Sequence, residues 1–154
     1  MIVVIQRSLK ASVEIQGETK ATIENGIVIL LGIVKGDKKD DIDYIKEKLI
    51  TMRIFDDSEG KMNLSLEEAG GSLLVVSQFT LCADISNGRR PSFSNAESFE
   101  KSKKLYDTFI LSLRNYGVEV ESGEFGSFMN VKIINNGPAT FILDSKEDWF
   151  NPKI

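Results

Sequence analysis

The sequence predicts one α/β domain: a mixed, strongly curved, partly barrel-like β-sheet carrying two main helices. Three observations point there. Apolar runs of strand length open and close the chain with turn signals between them, so strands predominate. Two segments, near 39–51 and 94–117, instead place apolar residues at helical spacing. The 154 residues, with 42% hydrophobic and 27% charged content and neither repeat nor linker, suit a single globule able to bury a core.

Met1 to Gln6 reads as a strand, and Ser12 to Gln16 alternates as a second, with Val13 and Ile15 on one face. Gly17-Glu18 turns the chain into a strand over Thr19 to Glu24. Asn25-Gly26 is a strong turn signal before Ile27 to Val34, the longest apolar stretch and a buried strand, which Gly36-Asp37 closes. Ile42, Ile45, Leu49 and Met52 predict a helix from about Lys39 to Thr51, with acidic residues at the end where the helix dipole favours them. Asp56 to Gly71 is polar and glycine-marked, hence mostly loop. Gly70-Gly71 leads into a strand over Ser72 to Leu81 with the core Leu73-Leu74-Val75-Val76.

Ser94-Asn95-Ala96-Glu97 fits a capping box for the second helix. Phe99, Tyr106, Phe109, Ile110 and Leu113 form its apolar face, and Gly117 ends it. Val118 to Glu121, Phe128 to Ile134 and Ala139 to Leu143 read as closing strands. The tail from Lys146 to Ile154, with Trp149 and Phe150, is expected to cover the sheet or a dimer interface. There is no GxGxxG, no P-loop and no doubly wound βαβ series.

What is missing narrows the chemistry. With no histidine there is no Ser-His-Asp triad, no Cys-His pair and no histidine-ligated zinc, and one cysteine excludes a multi-thiolate metal site. A hydrolase built from this chain must find its proton acceptor in a carboxylate, in water or in the substrate. Cys82 as the lone thiol, no basic leader and no apolar run of roughly 18 residues predict a cytoplasmic protein without a membrane partner. The net charge of −4 argues weakly against nucleic acid, but Arg89-Arg90 and the group Lys101, Lys103 and Lys104 concentrate positive charge locally.

Two short segments carry the functional interest. Ser77-Gln78-Phe79-Thr80-Leu81 puts three hydrogen-bonding side chains at the end of an apolar run. As a strand, it would oppose Ser77, Phe79 and Leu81 to Gln78 and Thr80. One reading is a strand leaving the core; the other is a set of amides and hydroxyls converging on a carbonyl, as oxyanion donors do. Thr80 or Ser77 as a nucleophile would need an activating base, and no histidine serves. Gly137-Pro138, within Asn135-Asn136-Gly137-Pro138-Ala139-Thr140, is by itself a turn between strands. Arg7 alone is a strand terminus, Met129 a core residue, Arg89-Arg90 a surface loop, and Cys82 a small buried residue with nothing near to activate it.

The two segments resemble the signature motifs of the D-aminoacyl-tRNA deacylases. Ile5-Gln6-Arg7, Arg53-Ile54-Phe55, Gly60-Lys61-Met62-Asn63-Leu64 and Arg90-Pro91-Ser92-Phe93-Ser94 also resemble that family, in its order, so the resemblance runs from Met1 to about Leu143. It implies a homodimer that hydrolyses D-amino acids, and glycine, off tRNA, with no metal or organic cofactor, no DNA partner and no membrane. Ser77, Gln78, Phe79 and Thr80 would form the catalytic pocket: backbone amides near Phe79 and Thr80 hold the ester carbonyl, and Gln78 fixes the terminal ribose. Met129 would lie near the adenine, with Phe125 and Phe128 as stacking surfaces. Gly137-Pro138, in the cis form, would point two carbonyls into the partner's site and reject L-amino acids sterically, braced by Arg7. Ala139 and Thr140 complete that substrate-binding element, although Ala139 stands where the family usually carries valine. Arg89 and Arg90 are the candidates for tRNA phosphate. A related animal family that favours L-substrates has alanine in place of Phe79, so Phe79 fits the D-specific group. Two rivals remain: an esterase with Thr80 or Ser77 as nucleophile, and a non-catalytic module binding tRNA ends or adenine nucleotides.

Overall fold

The computed structural model describes residues 1–146. Its spine is β1 (Ile2–Ile15), one unbroken strand where two were expected. One edge of β1 pairs antiparallel with β3 (Gly26–Gly32) along residues 2–8, then with β2 (Glu18–Ile23) along residues 11–15. The other edge pairs along its length with β8 (Asn130–Asp144), itself one strand where two were expected. The polar stretch around Ser8 to Lys10 therefore does not break β1. It is where the ladder to β8 slips register twice, and such bulges bend and twist a strand.

Beyond β3 the sheet continues in parallel through β6 (Ser72–Ser77) to β7 (Val120–Ser122). β2 curls round to approach β6 and β7, so the mixed sheet is barrel-like and nearly closed. β6 shows why an unbroken apolar run is needed: it is covered on both faces. Leu73 and Val75 join a core shared with α1 (Lys39–Thr51) and α2 (Phe99–Tyr116), while Leu74 and Val76 face the interior with Val13, Ile23 and Val28. Each such side chain contributes about 1.5–3 kcal/mol by leaving water.

Helix α1 spans the predicted residues and buries Ile42, Ile45 and Leu49. Helix α2 ends as predicted at Gly117, whose φ of 103° lets its amide cap the Leu113 and Arg114 carbonyls. Its start differs. Ser98 is the N-cap residue, and the proposed Ser94–Glu97 box does not form because Ser94 bonds Ser92 and Glu97 is engaged elsewhere. Phe99 accordingly is an exposed first-turn residue rather than part of the buried face. In the stretch expected to be mostly loop, β4 (Phe55–Asp56) and β5 (Met62–Leu64) form a small hairpin. No helix among the described residues is long and apolar enough to cross a membrane. Of the tail, Lys146 is described and its carboxylate partners are Asp41 at 2.7 Å and Asp37 at 3.6 Å; Trp149 and Phe150 lie outside the described residues.

Candidate active site

β6 stops at Ser77, short of the predicted Leu81. The Gln78 amide still donates to Leu31 O at 2.8 Å, after which Phe79–Cys82 coil into a 3-10 turn closed by Leu81 N to Gln78 O and Ala83 N to Thr80 O, each 3.2 Å. The alternation expected of a strand therefore does not apply to 77–81. The turn can lie against β3 because Gly32 is there: a Cβ would sit 2.9 Å from Leu81 Cβ and 3.1 Å from Gln78 O. Amides in the first turn of any helix have no carbonyl within it to receive them, and here they belong to Phe79 and Thr80. Behind the turn, Cys82 is buried and donates to Ile33 O at 3.4 Å; burial pushes its thiol up, which suits an inert packing residue.

Ser77, Gln78 and Phe79 form one wall of a cavity of about 600 Å³, and Phe125, Phe128 and Met129 form another. The apolar walls and few polar groups fit a ligand with a flat, partly apolar body. Phe125 is held edge-on by Phe99, with ring centroids 5.2 Å apart, and tilted against Tyr106 at 5.3 Å. Phe128, 90% exposed, has its ring face uncommitted, so of the two stacking candidates it is the available one. Met129 is half-buried and packs on the interior cluster, combining the core role and the wall role. Phe79 is exposed and meets Phe93 edge-on at 5.0 Å, which links the cavity to the Arg90-to-Ser94 segment. Thr80 does not line the cavity; its hydroxyl receives a hydrogen bond from Gln78 Nε2, tying Gln78 down. Arg89 and Arg90 are exposed on a loop pinned at its base by paired backbone bonds between Asp84 and Ser92.

Sequence reasoning missed Ala96, Glu97, Phe99 and Ser102, which also line the cavity. Assigning Glu97 to a helix cap hid it. Among the described residues Glu97 is the one carboxylate lining the cavity, and its oxygens are occupied. Lys101 Nζ at 2.6 Å, the Ser98 amide at 2.9 Å and the Gly36 amide at 3.2 Å hold its pKa down to about 2. A carboxylate so stabilised is a poor proton acceptor near neutrality. No cluster of three or more His, Cys, Asp or Glu side chains suited to a metal occurs among the described residues.

Gly137, Pro138, Ala139 and Thr140 are not brought to this cavity within one chain. They lie on β8, where register carries Gln6 opposite Thr140 and Ser8 opposite Asn135, so Asn136 to Ala139 bulge out against Arg7 alone. Gly137 and Pro138 are exposed, the peptide between them is cis as the resemblance implies, and Gly137 has a φ of 124° that favours glycine. Asn135 ties the loop's ends together, donating to Thr140 Oγ1 at 3.0 Å and accepting from the Ala139 amide at 3.1 Å. Ala139 is buried, and its Cβ lies 3.4 Å from where a Cβ on Gly137 would stand. Arg7, 4% exposed, donates from Nε to Asn136 O at 3.2 Å: it braces the loop.

The pattern of the family described as D-Tyr-tRNA(Tyr) deacylase matches residues 4–144. A D-aminoacyl-tRNA deacylase of Thermosipho africanus is 52% identical over 147 residues, covering 96% of this chain and 99% of that one. One from Dehalococcoides mccartyi is 47% identical over 154 residues, covering all of both chains. Among solved structures, one described as a c-Myc DNA unwinding element binding protein superposes with a TM-score of 0.89 at 34% identity, covering 94% of this chain and 98% of that one. A probable eukaryotic D-amino acid tRNA deacylase shares the fold, with a TM-score of 0.78 at 18% identity over 92% and 97% of the two chains. With a family pattern spanning nearly all of β1 to β8 and relatives about half identical end to end, the chain belongs to the D-aminoacyl-tRNA deacylase family.

Proposed function

We propose that this protein hydrolyses the ester between a D-amino acid and the 3′-terminal adenosine of tRNA, accepts glycine, and rejects L-amino acids. The observation that carries the reading is the cavity itself: a largely apolar space reaching Phe79 at the start of its turn, with the one lining carboxylate among the described residues already committed. The adenine stacks on Phe128 beside Met129, at about 1–3 kcal/mol for a stacked base. Gln78, fixed by Thr80, meets the ribose, and the Phe79 and Thr80 amides receive the negative charge that develops on the carbonyl oxygen. With no histidine in the chain and no free carboxylate lining the cavity among the described residues, water attacks the ester carbonyl and its proton passes, through a second water or the substrate's own vicinal hydroxyl, to the departing ribose oxygen. An aminoacyl ester is activated enough for that route.

Stereochemistry is read by a second copy of the chain. Its exposed Gly137-Pro138 loop enters the cavity and sets two carbonyl oxygens where an L-substituent would fall, so selection works by exclusion. Ile134 and Ile142, exposed on β8 on either side of that loop, supply apolar area for a second copy to cover. Arg89 and Arg90 meet phosphates of the tRNA end. The protein works in the cytoplasm as a homodimer.

The reading is tested by incubating the purified protein with an excess of D-Tyr-tRNA in the presence of a chelator. Release of D-tyrosine over many turnovers supports it. Tight binding of intact D-Tyr-tRNA without release would make the protein a binding module instead.

A further inference from the structure

We propose that Asp56 is a positioning residue for stereochemical selection, acting through Arg7 on the Gly137-Pro138 loop; this rests on the reading of that loop as the chiral filter. Asn135 and Thr140 fasten the loop's two ends, but the hold on its interior, at the Asn136 carbonyl, comes from Arg7. That bond is long, at 3.2 Å. The opposite side of the guanidinium is held more tightly: Nη1 donates to Ile54 O and to Asp56 Oδ1, each at 2.8 Å. A guanidinium is planar and rigid, so fixing Nη1 aims Nε. The tight side sets the geometry and the loop side follows.

Charge makes the dependence on Asp56 sharper. Arg7 is 4% exposed, and Asp56 is its carboxylate partner within 4 Å among the described residues. A buried cation stripped of its partner is left uncompensated and moves towards other acceptors or water. For Arg7 that movement releases Asn136 O. It also changes the packing at Gly137, because Arg7 Nη2 lies 3.1 Å from where a Cβ on Gly137 would stand.

The hairpin holds Asp56 in place. Phe55, 5% exposed, anchors β4 in the core, and strand alternation turns the next residue the other way. The turn beyond is closed by Asp57 N to Lys61 O at 2.8 Å and by the Asp57 carboxylate accepting the Glu59 and Lys61 amides. Arg53 clamps the returning strand through the Asn63 carbonyl and side chain. A segment that is polar and lies away from the cavity is thus built rigidly, with one carboxylate pointing at the arginine behind the loop.

The test compares D-Tyr-tRNA and L-Tyr-tRNA hydrolysis by full-length wild type, Asp56→Asn and Asp56→Glu. Asp56→Asn is expected to keep D-Tyr-tRNA turnover within about threefold while L-Tyr-tRNA turnover rises, so that the D:L ratio falls about tenfold, the scale of withdrawing the charge from a charge-assisted hydrogen bond. Asp56→Glu, which restores the charge, is expected to recover most of the ratio. An unchanged ratio in a folded Asp56→Asn protein, or D and L rates falling together, would overturn the proposal. Should Asp56→Asn fail to fold, Asp56→Ser is read the same way. A wild type that fails to discriminate D from L would remove the chiral filter itself and this proposal with it; that control separates the two failures.

Discussion

Replacing Gly137 with alanine asks whether the loop's shape selects the substrate. A residue with a side chain is rarely found at a φ of 124°, and holding one there costs about 1–3 kcal/mol. The added Cβ would also lie 2.9 Å from the Ala139 amide nitrogen and 3.1 Å from Arg7 Nη2. The first neighbour is backbone and the second is a guanidinium fixed by Ile54 O and Asp56, so neither gives way cheaply. The loop must move. For a domain of this size the strain corresponds to a fall of about 3–10 °C in Tm, measurable by differential scanning calorimetry. The same displacement moves the carbonyl oxygens that exclude L-substrates, so the D:L ratio of hydrolysis should drop by at least about tenfold, equivalent to about 1.4 kcal/mol of lost discrimination. A Gly137→Ala protein with wild-type Tm and wild-type D:L ratio would refute the reasoning on both counts.

Thr80→Ala removes the acceptor that ties Gln78 and should slow D-Tyr-tRNA hydrolysis by less than about tenfold, the value of one neutral hydrogen bond, in single-turnover assays; complete loss of chemistry would instead mark Thr80 as a nucleophile. Lys101 and the Ser98 and Gly36 amides depress Glu97 from 4.5 to about 2, so its stabilising contribution is whole above pH 4.5 and disappears as pH falls towards 2. Thermal unfolding followed between pH 7 and pH 2 should therefore show a smaller acid-side loss for Glu97→Gln than for wild type. Asp41 adds a loss in the same window: burial pushes its pKa up, but hydrogen bonds from Lys146 and Ser145 prevail and hold it at about 2. Tyr106→Phe removes a buried hydroxyl that donates to Val75 O at 2.9 Å; that carbonyl keeps its bond from the Gly123 amide, so the loss should cost about 0.5–1.5 kcal/mol in a denaturant melt.

Local periodicity made much of the fold legible. Ile42, Ile45 and Leu49 located α1 to the residue, and Gly117 marked the end of α2, because in each case the controlling contacts lie within one or two turns. Long-range pairing decided the rest. Ser8 to Lys10 look like a break, yet β8 carries them as a bulged but continuous strand. Leu81 looks like strand, yet Gly32 on a neighbouring strand permits the chain to coil from Phe79 onwards. At the candidate site, residues 77–79 and 125–129 line one cavity, while Thr80 does not. Glu97 was hidden because a Ser-to-Glu spacing reads equally well as a cap. The Gly137-Pro138 loop remains apart from the cavity of its own chain, and its bracing by Asp56 depends on a hairpin that polar composition disguised as loop.

Selection at the α-carbon by exclusion is tested most directly by measuring hydrolysis of D-Tyr-tRNA, L-Tyr-tRNA and Gly-tRNA side by side, with chelator present. The account expects rapid loss of the D-tyrosyl and glycyl esters, since glycine has no β-carbon to be refused, while the L-tyrosyl ester persists. Equal loss of the D and L esters would contradict it and leave a general esterase.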